Sequence, residues 1–102
     1  MNKLEIVKKA CEDRLGSDIK VLEIGSKTTI ADYFVIVTGN SVQHTKALAN
    51  EIEDKIEKAG YEVLRNEGFR DATWILMDLG EIIVHIFTEE QREFYDIEKL
   101  WD

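Results

Sequence analysis

Apolar residues recur at two different periods along this chain, and the switches between them mark out its elements. Leu4, Val7, Ala10 or Cys11, and Leu15 fall at helical spacing over residues 3–15, and Gly16 follows as a stop. Residues 20–25 alternate and predict a strand, one that suits a sheet edge. A polar loop over 26–31 leads to Asp32-Tyr33-Phe34-Val35-Ile36-Val37-Thr38-Gly39, which is apolar on both faces. That pattern predicts a central strand covered on each side. Gly39-Asn40-Ser41 then opens a long helix, with Asn40 or Ser41 as its cap. Val42, Thr45, Leu48 or Ala49, Ile52, Ile56 and Ala59 form its inner stripe, Gly60 ends it, and Glu51, Glu53, Asp54, Lys55, Glu57 and Lys58 form a solvated face. Tyr61-Glu62-Val63-Leu64-Arg65 reads as a short strand. Strand, helix and strand in succession predict a crossover and a parallel pair with the central strand. After a loop over 66–73 and a hairpin, Thr88-Glu89-Glu90 caps a last helix carrying Phe94, Tyr95, Ile97, Leu100 and Trp101. The order α-β-β-α-β-β-β-α predicts an α+β fold, a mixed sheet with flanking helices.

The hairpin, Trp74 to Phe87, organises the rest. Two apolar runs flank Gly80-Glu81, and Gly takes the positive φ of a type II′ turn without a steric penalty. In that register Leu79 faces Ile82, Asp78 faces Ile83, Met77 faces Val84, Leu76 faces His85, Ile75 faces Ile86 and Trp74 faces Phe87. Side chains alternate along strands. One face is therefore aliphatic: Ile75, Met77, Leu79, Ile82, Val84 and Ile86, a core surface for helices. The other carries Trp74, Leu76, Asp78, Ile83, His85 and Phe87. It is either a second core layer or a recognition surface. From it Trp74, Leu76, Asp78, His85 and Phe87 are the candidate partner-binding residues.

Length and charge narrow the functions available. The 102 residues suit one domain, spanning residues 1–102, with a core large enough to need no disulfide or metal. There is no proline and no low-complexity tract to suggest a linker. A net charge of −8, from 21 acidic and 13 basic residues, argues against direct nucleic-acid binding as the main contact and favours a basic protein partner. The single Cys11 excludes an internal disulfide and a cysteine-rich zinc site, and its helical pattern predicts a packed thiol. No secretory leader or membrane-length apolar run is visible, so a cytoplasmic protein is expected.

Candidate chemistry is sparse. Thr38-Gly39-Asn40-Ser41, strand into helix, is the most enzyme-like turn, because backbone N–H groups at a helix start can cradle a phosphate. It lacks the glycine-rich nucleotide patterns. A nucleotidyltransferase would also need paired carboxylates on the next strand for magnesium, and Tyr61 to Arg65 offers one acid and one base. His44 and His85 have no metal-ligand spacing, and His85 reads as a packed, contact or catalytic histidine. Asp32 reads as a loop or capping acid. Asp78, one step before the turn, is either a charged contact or a carboxylate that bonds turn N–H groups. No cofactor is expected.

The chain resembles the ribosomal silencing factor (Iojap) family. The resemblance rests on Ala31-Asp32-Tyr33-Phe34-Val35-Ile36, Thr38-Gly39-Asn40-Ser41, Glu67-Gly68-Phe69, Trp74-Ile75-Leu76-Met77-Asp78-Leu79-Gly80, Val84-His85-Ile86-Phe87, and Arg92-Glu93-Phe94-Tyr95-Asp96-Ile97-Glu98-Lys99-Leu100-Trp101. It covers nearly the whole chain. It implies a nucleotidyltransferase-like fold without catalysis, and docking on a protein of the large ribosomal subunit's intersubunit face. Docking there would block the small subunit and repress translation when nutrients are short, while organelle relatives assist large-subunit assembly. Members often carry a basic residue beside the position of His44, where this chain has Gln43. The alternative functions are a small nucleotidyltransferase-like enzyme using the Gly39-Asn40-Ser41 turn, and a homodimerising module built on Phe94, Ile97 and Trp101.

Overall fold

The computed structural model describes residues 1–101. Helix α1 (Lys3–Asp13) is followed by strands β1 (Ser17–Glu23) and β2 (Tyr33–Gly39), helix α2 (Val42–Lys58), strands β3 (Arg65–Glu67), β4 (Trp74–Asp78) and β5 (Ile82–Thr88), and short helices α3 (Glu89–Tyr95) and α4 (Ile97–Trp101). The five strands form one mixed sheet in the order β1-β2-β5-β4-β3.

The hairpin has the expected register. Trp74 pairs with Phe87, Ile75 with Ile86, Leu76 with His85, Met77 with Val84 and Asp78 with Ile83. Gly80 takes φ +98 at the turn, and Leu79 N donates to Ile82 O at 2.9 Å. The turn is also tied down from both sides. Lys3 Nζ donates to Leu79 O at 2.8 Å and Glu81 Oε1 at 2.7 Å, and the Asp32 and Tyr33 amides both donate to Glu81 O. The bond from Lys3 lowers the Glu81 pKa.

The aliphatic hairpin face packs under α1 and α2. Ile75, Met77, Leu79, Ile82, Val84 and Ile86 join Val35 and Val37 of β2, Val7, Ala10 and Cys11 of α1, and Leu48, Ala49, Ile52 and Ile56 of α2. Burial pushes the Cys11 thiol up to about 12, so it stays protonated and serves as packing. The start of α2 is held by Ser41, whose side chain accepts from His44 N; Asn40 does not cap. Ser41→Ala is expected to lower stability by about 1 kcal/mol in denaturant unfolding, the usual cost of a lost N-cap. An unchanged midpoint would mean water caps the helix equally well.

The structure corrects several details. The parallel partner of β2 is β5, not a strand at Tyr61–Arg65. The third strand starts at Arg65 and runs antiparallel to β4 at the far edge. The reason lies in burial. A strand apolar on both faces needs neighbours of the same kind, and β5 is buried from Ile82 to Phe87, whereas Tyr61, Glu62 and Leu64 are exposed. The chain leaves α2 through Gly60 at φ +90, in the left-handed region. β1 is an edge strand, as expected, but begins at Ser17 and is irregular between Ser17 and Lys20. α1 stops at Asp13, and Leu15 sits outside the stripe, exposed at φ 58. Val42 and Ala59 of the α2 stripe are also exposed. The last helix is two pieces, broken at Asp96 with φ 45, and Thr88 makes no side-chain cap bond.

Candidate functional site

The mixed hairpin face divides into a covered half and an open half. Toward β1, Leu22, Phe34, Ile36, Ile83, His85 and Phe87 form a second core layer, closed by Ile24, Ala31, Ile97 and Trp101. Toward β3, Trp74, Leu76 and Asp78 are half-buried, and their cross-strand neighbours Glu67 and Arg65 are exposed. Of the five residues expected on one recognition face, Trp74, Leu76 and Asp78 reach the surface, and His85 and Phe87 lie beneath it. A shallow cavity of about 310 Å³ opens between Glu67, Gly68, Trp74 and Leu76. Gly68, at φ +80, forms one wall, and only glycine fits there, since a Cβ would lie 2.2 Å from the Trp74 carbonyl oxygen.

Trp74 joins the two halves. Its ring lies 4.9 Å from Phe87 and 4.7 Å from Tyr95 of α3, centroid to centroid. Its indole N–H donates to His85 Nδ1 at 3.1 Å. That bond places the histidine proton on Nε2. Burial drives the His85 pKa down to about 4, so the imidazole is neutral at physiological pH. It has no acid or base partner within the covered layer, where Phe34 stands 4.6 Å away edge-on and Phe87 stacks at 6.1 Å. A packed histidine is what this geometry builds.

Of the two roles that the sequence left open for Asp78, the structure shows the turn bond. Its Oδ1 accepts from Gly80 N at 2.9 Å and so braces the turn. The side chain nevertheless remains half-exposed beside Leu76 and Arg65.

The Thr38-Gly39-Asn40-Ser41 turn is filled by its own chain. Asn40 N donates to His44 Nδ1 at 2.9 Å, His44 N is taken by Ser41 Oγ at 3.1 Å, and Thr45 N by Ser41 O. His44 Nε2 lies 2.6 Å from the Arg14 carbonyl, so the ring ties the end of α1 to the start of α2. Of the N–H groups around this turn, those of Asn40 and His44 are thus bonded within the chain. Among the described residues, no group of three or more His, Cys, Asp or Glu could hold a metal ion, and no helix is long and apolar enough to cross a membrane.

Comparison with known proteins agrees with the motif pattern. Residues 1–102 match the family model described as "Ribosomal silencing factor during starvation". The chain belongs to the ribosomal silencing factor family. It is similar to the ribosomal silencing factor RsfS of Bacillus subtilis, with 42% identity over 98 residues, 96% of this chain and 83% of the relative. A crystal structure of a Chromobacterium violaceum protein superposes with a TM-score of 0.94 at 36% identity, covering 99% of this chain and 87% of that one. The mouse "Mitochondrial assembly of ribosomal large subunit protein 1" is 30% identical over 87 residues, 82% of this chain but 38% of the relative. Membership gives this chain a ribosome-associated role in silencing translation, a regulatory function.

Within this silencing-factor fold the structure adds two residues to the open face. Tyr95 stands on Trp74, and Phe94 meets Tyr95 edge-on at 5.0 Å while remaining 77% exposed. The sequence pattern placed both in one last helix, with Phe94 in a candidate dimerisation stripe beside Ile97 and Trp101. The helix instead breaks at Asp96, and both residues lie exposed at the end of α3.

Proposed function

We propose that this chain docks, in the cytoplasm, on a basic protein of the large ribosomal subunit's intersubunit face and so excludes the small subunit under nutrient limitation. The observation that carries this reading is the open aromatic face: Trp74, Tyr95 and Phe94 in ring contact, with Leu76 and Asp78 beside them. Exposed, contiguous aromatic surface on a small acidic protein is what a protein-docking site requires. Steric exclusion then needs no chemistry from the chain. The Gly39-Asn40-Ser41 turn, with Asn40 N and His44 N bonded within the chain, gives the nucleotidyltransferase alternative no support.

Co-sedimentation with separated ribosomal subunits tests the proposal. Binding to the free large subunit alone is expected. Equal binding to the small subunit, or binding to neither, would sink it. Self-association through the exposed Phe94 and Leu100 is the competing use of this surface, and its signature is concentration-dependent sedimentation of the free chain.

Asp78→Asn is expected to weaken large-subunit binding by roughly tenfold or more, since removing one partner of a desolvated charge pair costs ~2–5 kcal/mol. The amide oxygen can still accept from Gly80 N, so melting should be nearly unchanged. Equal binding by a variant that melts like the parent would reduce Asp78 to a turn brace. Binding is also expected to weaken as salt rises, because exposed charges are screened within about 8–10 Å at physiological ionic strength.

A further inference from the structure

The covered half of the mixed face is closed by a thin element. α4 is five residues long, too short to hold itself as a helix in water, so it stays only through what it packs on. Its grip consists of the buried Ile97, the half-buried Trp101 and the ion pair from Glu98 to Arg92 of α3, while Leu100 is exposed. It is joined to α3 through Asp96, a non-glycine residue at φ 45. At its far end, Lys27 Nζ donates to the Trp101 carbonyl at 2.6 Å across exposed surface.

The layer that this element helps to close contains an unsatisfied group. Trp101 meets Phe34 edge-on at 5.4 Å, and Phe34 meets His85 edge-on at 4.6 Å. With Nδ1 occupied by the Trp74 indole, His85 carries its proton on Nε2, which has no hydrogen-bond partner although the residue is only 5% exposed. Among the described residues, no other buried side-chain nitrogen or oxygen lacks a partner. A buried donor left unpaired destabilises a fold, so its persistence calls for an explanation.

We infer that α4 is a displaceable strap, and that the Phe34–His85 floor under Trp101 is a socket for a segment of the protein partner. That segment carries an apolar side chain beside a neutral acceptor, such as a backbone carbonyl, for His85 Nε2. The inference rests on the docking reading above. The ring walls demand an apolar group, the imidazole N–H demands an acceptor, and the chain's net charge of −8 disfavours a carboxylate there. The socket is continuous with the open face, because Trp74 belongs to that face and bonds His85. A closed strap lowers the apparent affinity by the fraction of molecules in which it is open.

The test uses the full chain and purified large subunits, with Trp101→Ala and Lys27→Ala. Lys27→Ala removes only the surface tie to the Trp101 carbonyl and keeps the core intact. Both variants are expected to bind the large subunit ~threefold or more tightly, because a looser strap raises the competent fraction. By NMR, the His85 Nε2 proton should exchange with water faster in Lys27→Ala, while the β5 amides keep their rates, the mark of local rather than global opening. Unchanged or weaker binding by folded variants would overturn the socket, making Trp101 a fixed cover or a contact in its own right. Exchange at His85 that moves only together with the β5 amides would overturn the strap. No binding by parent or variants overturns the docking reading and the socket together, whereas parental binding without a gain in the variants overturns the socket alone.

Discussion

Acidification from pH 7 to pH 5 is expected to cost the protein about 2 kcal/mol of stability, most of it through His85. The folded state holds this imidazole neutral, with its pKa lowered from 6.5 to about 4 by burial. The unfolded chain binds a proton below about 6.5, and the folded chain does not until about 4. Stability is therefore full above 6.5, falls as pH drops from 6.5 toward 4, and levels off below, after a total loss of roughly 3 kcal/mol. The geometry explains why the folded state resists the proton. An imidazolium would need an N–H on both nitrogens, yet Nδ1 accepts from Trp74 and no carboxylate bonds Nε2. Glu51 and Glu81, whose pKa values are lowered by bonds from Lys55 and Lys3, lose their contributions only at lower pH, below the ordinary carboxylate value of 4.5. A loss of about 2 kcal/mol corresponds to a melting temperature roughly 8–16 °C lower at pH 5 than at pH 7 for a domain of this size. His85→Gln keeps an acceptor for Trp74 and cannot titrate. It should be less stable at pH 7 but nearly flat between pH 7 and 5. Parallel pH profiles for parent and variant would place the titrating group elsewhere.

That histidine also marks how far the sequence could be read. The hairpin register was legible because Gly80 sets the turn and a period of two then fixes every partner down to Trp74 and Phe87. The aliphatic face was legible for the same reason. Which of the two readings of the mixed face applied was not, because cover is a tertiary property. Phe34 and Ile36 bury His85 from the neighbouring strand, and Ile97 and Trp101 close over them from the end of the chain. The misplaced third strand has a related cause. Tyr61 to Arg65 has strand-like residues and follows a helix, but only the burial demand of β2 decides that β5 takes the place beside it. Phe94 and Tyr95 were visible as apolar residues at helical spacing. That the helix breaks after them was not, because it turns on Asp96 adopting a left-handed conformation, for which a lone aspartate is a weaker signal than glycine.

Trp74→Ala is expected to weaken large-subunit binding by roughly thirtyfold or more, since buried aromatic anchors contribute more than ~2 kcal/mol on truncation. Trp74 links the open face to the covered layer. Its ring packs on Tyr95 toward the surface and on Phe87 toward the core, and its N–H holds His85. For that reason the alanine variant confounds two effects, a lost anchor and a loosened second layer. Trp74→Phe separates them. It keeps a ring between Phe87 and Tyr95 but leaves His85 Nδ1 without its donor, an unpaired buried group costing about 1–3 kcal/mol of stability. If the open face is the docking surface, Trp74→Phe should melt well below the parent yet keep most of the affinity. Trp74→Ala should lose both. Binding that tracks melting temperature across the two variants would show that Trp74 acts only through the fold. Full affinity in a folded Trp74→Ala would move the docking surface away from β4 altogether.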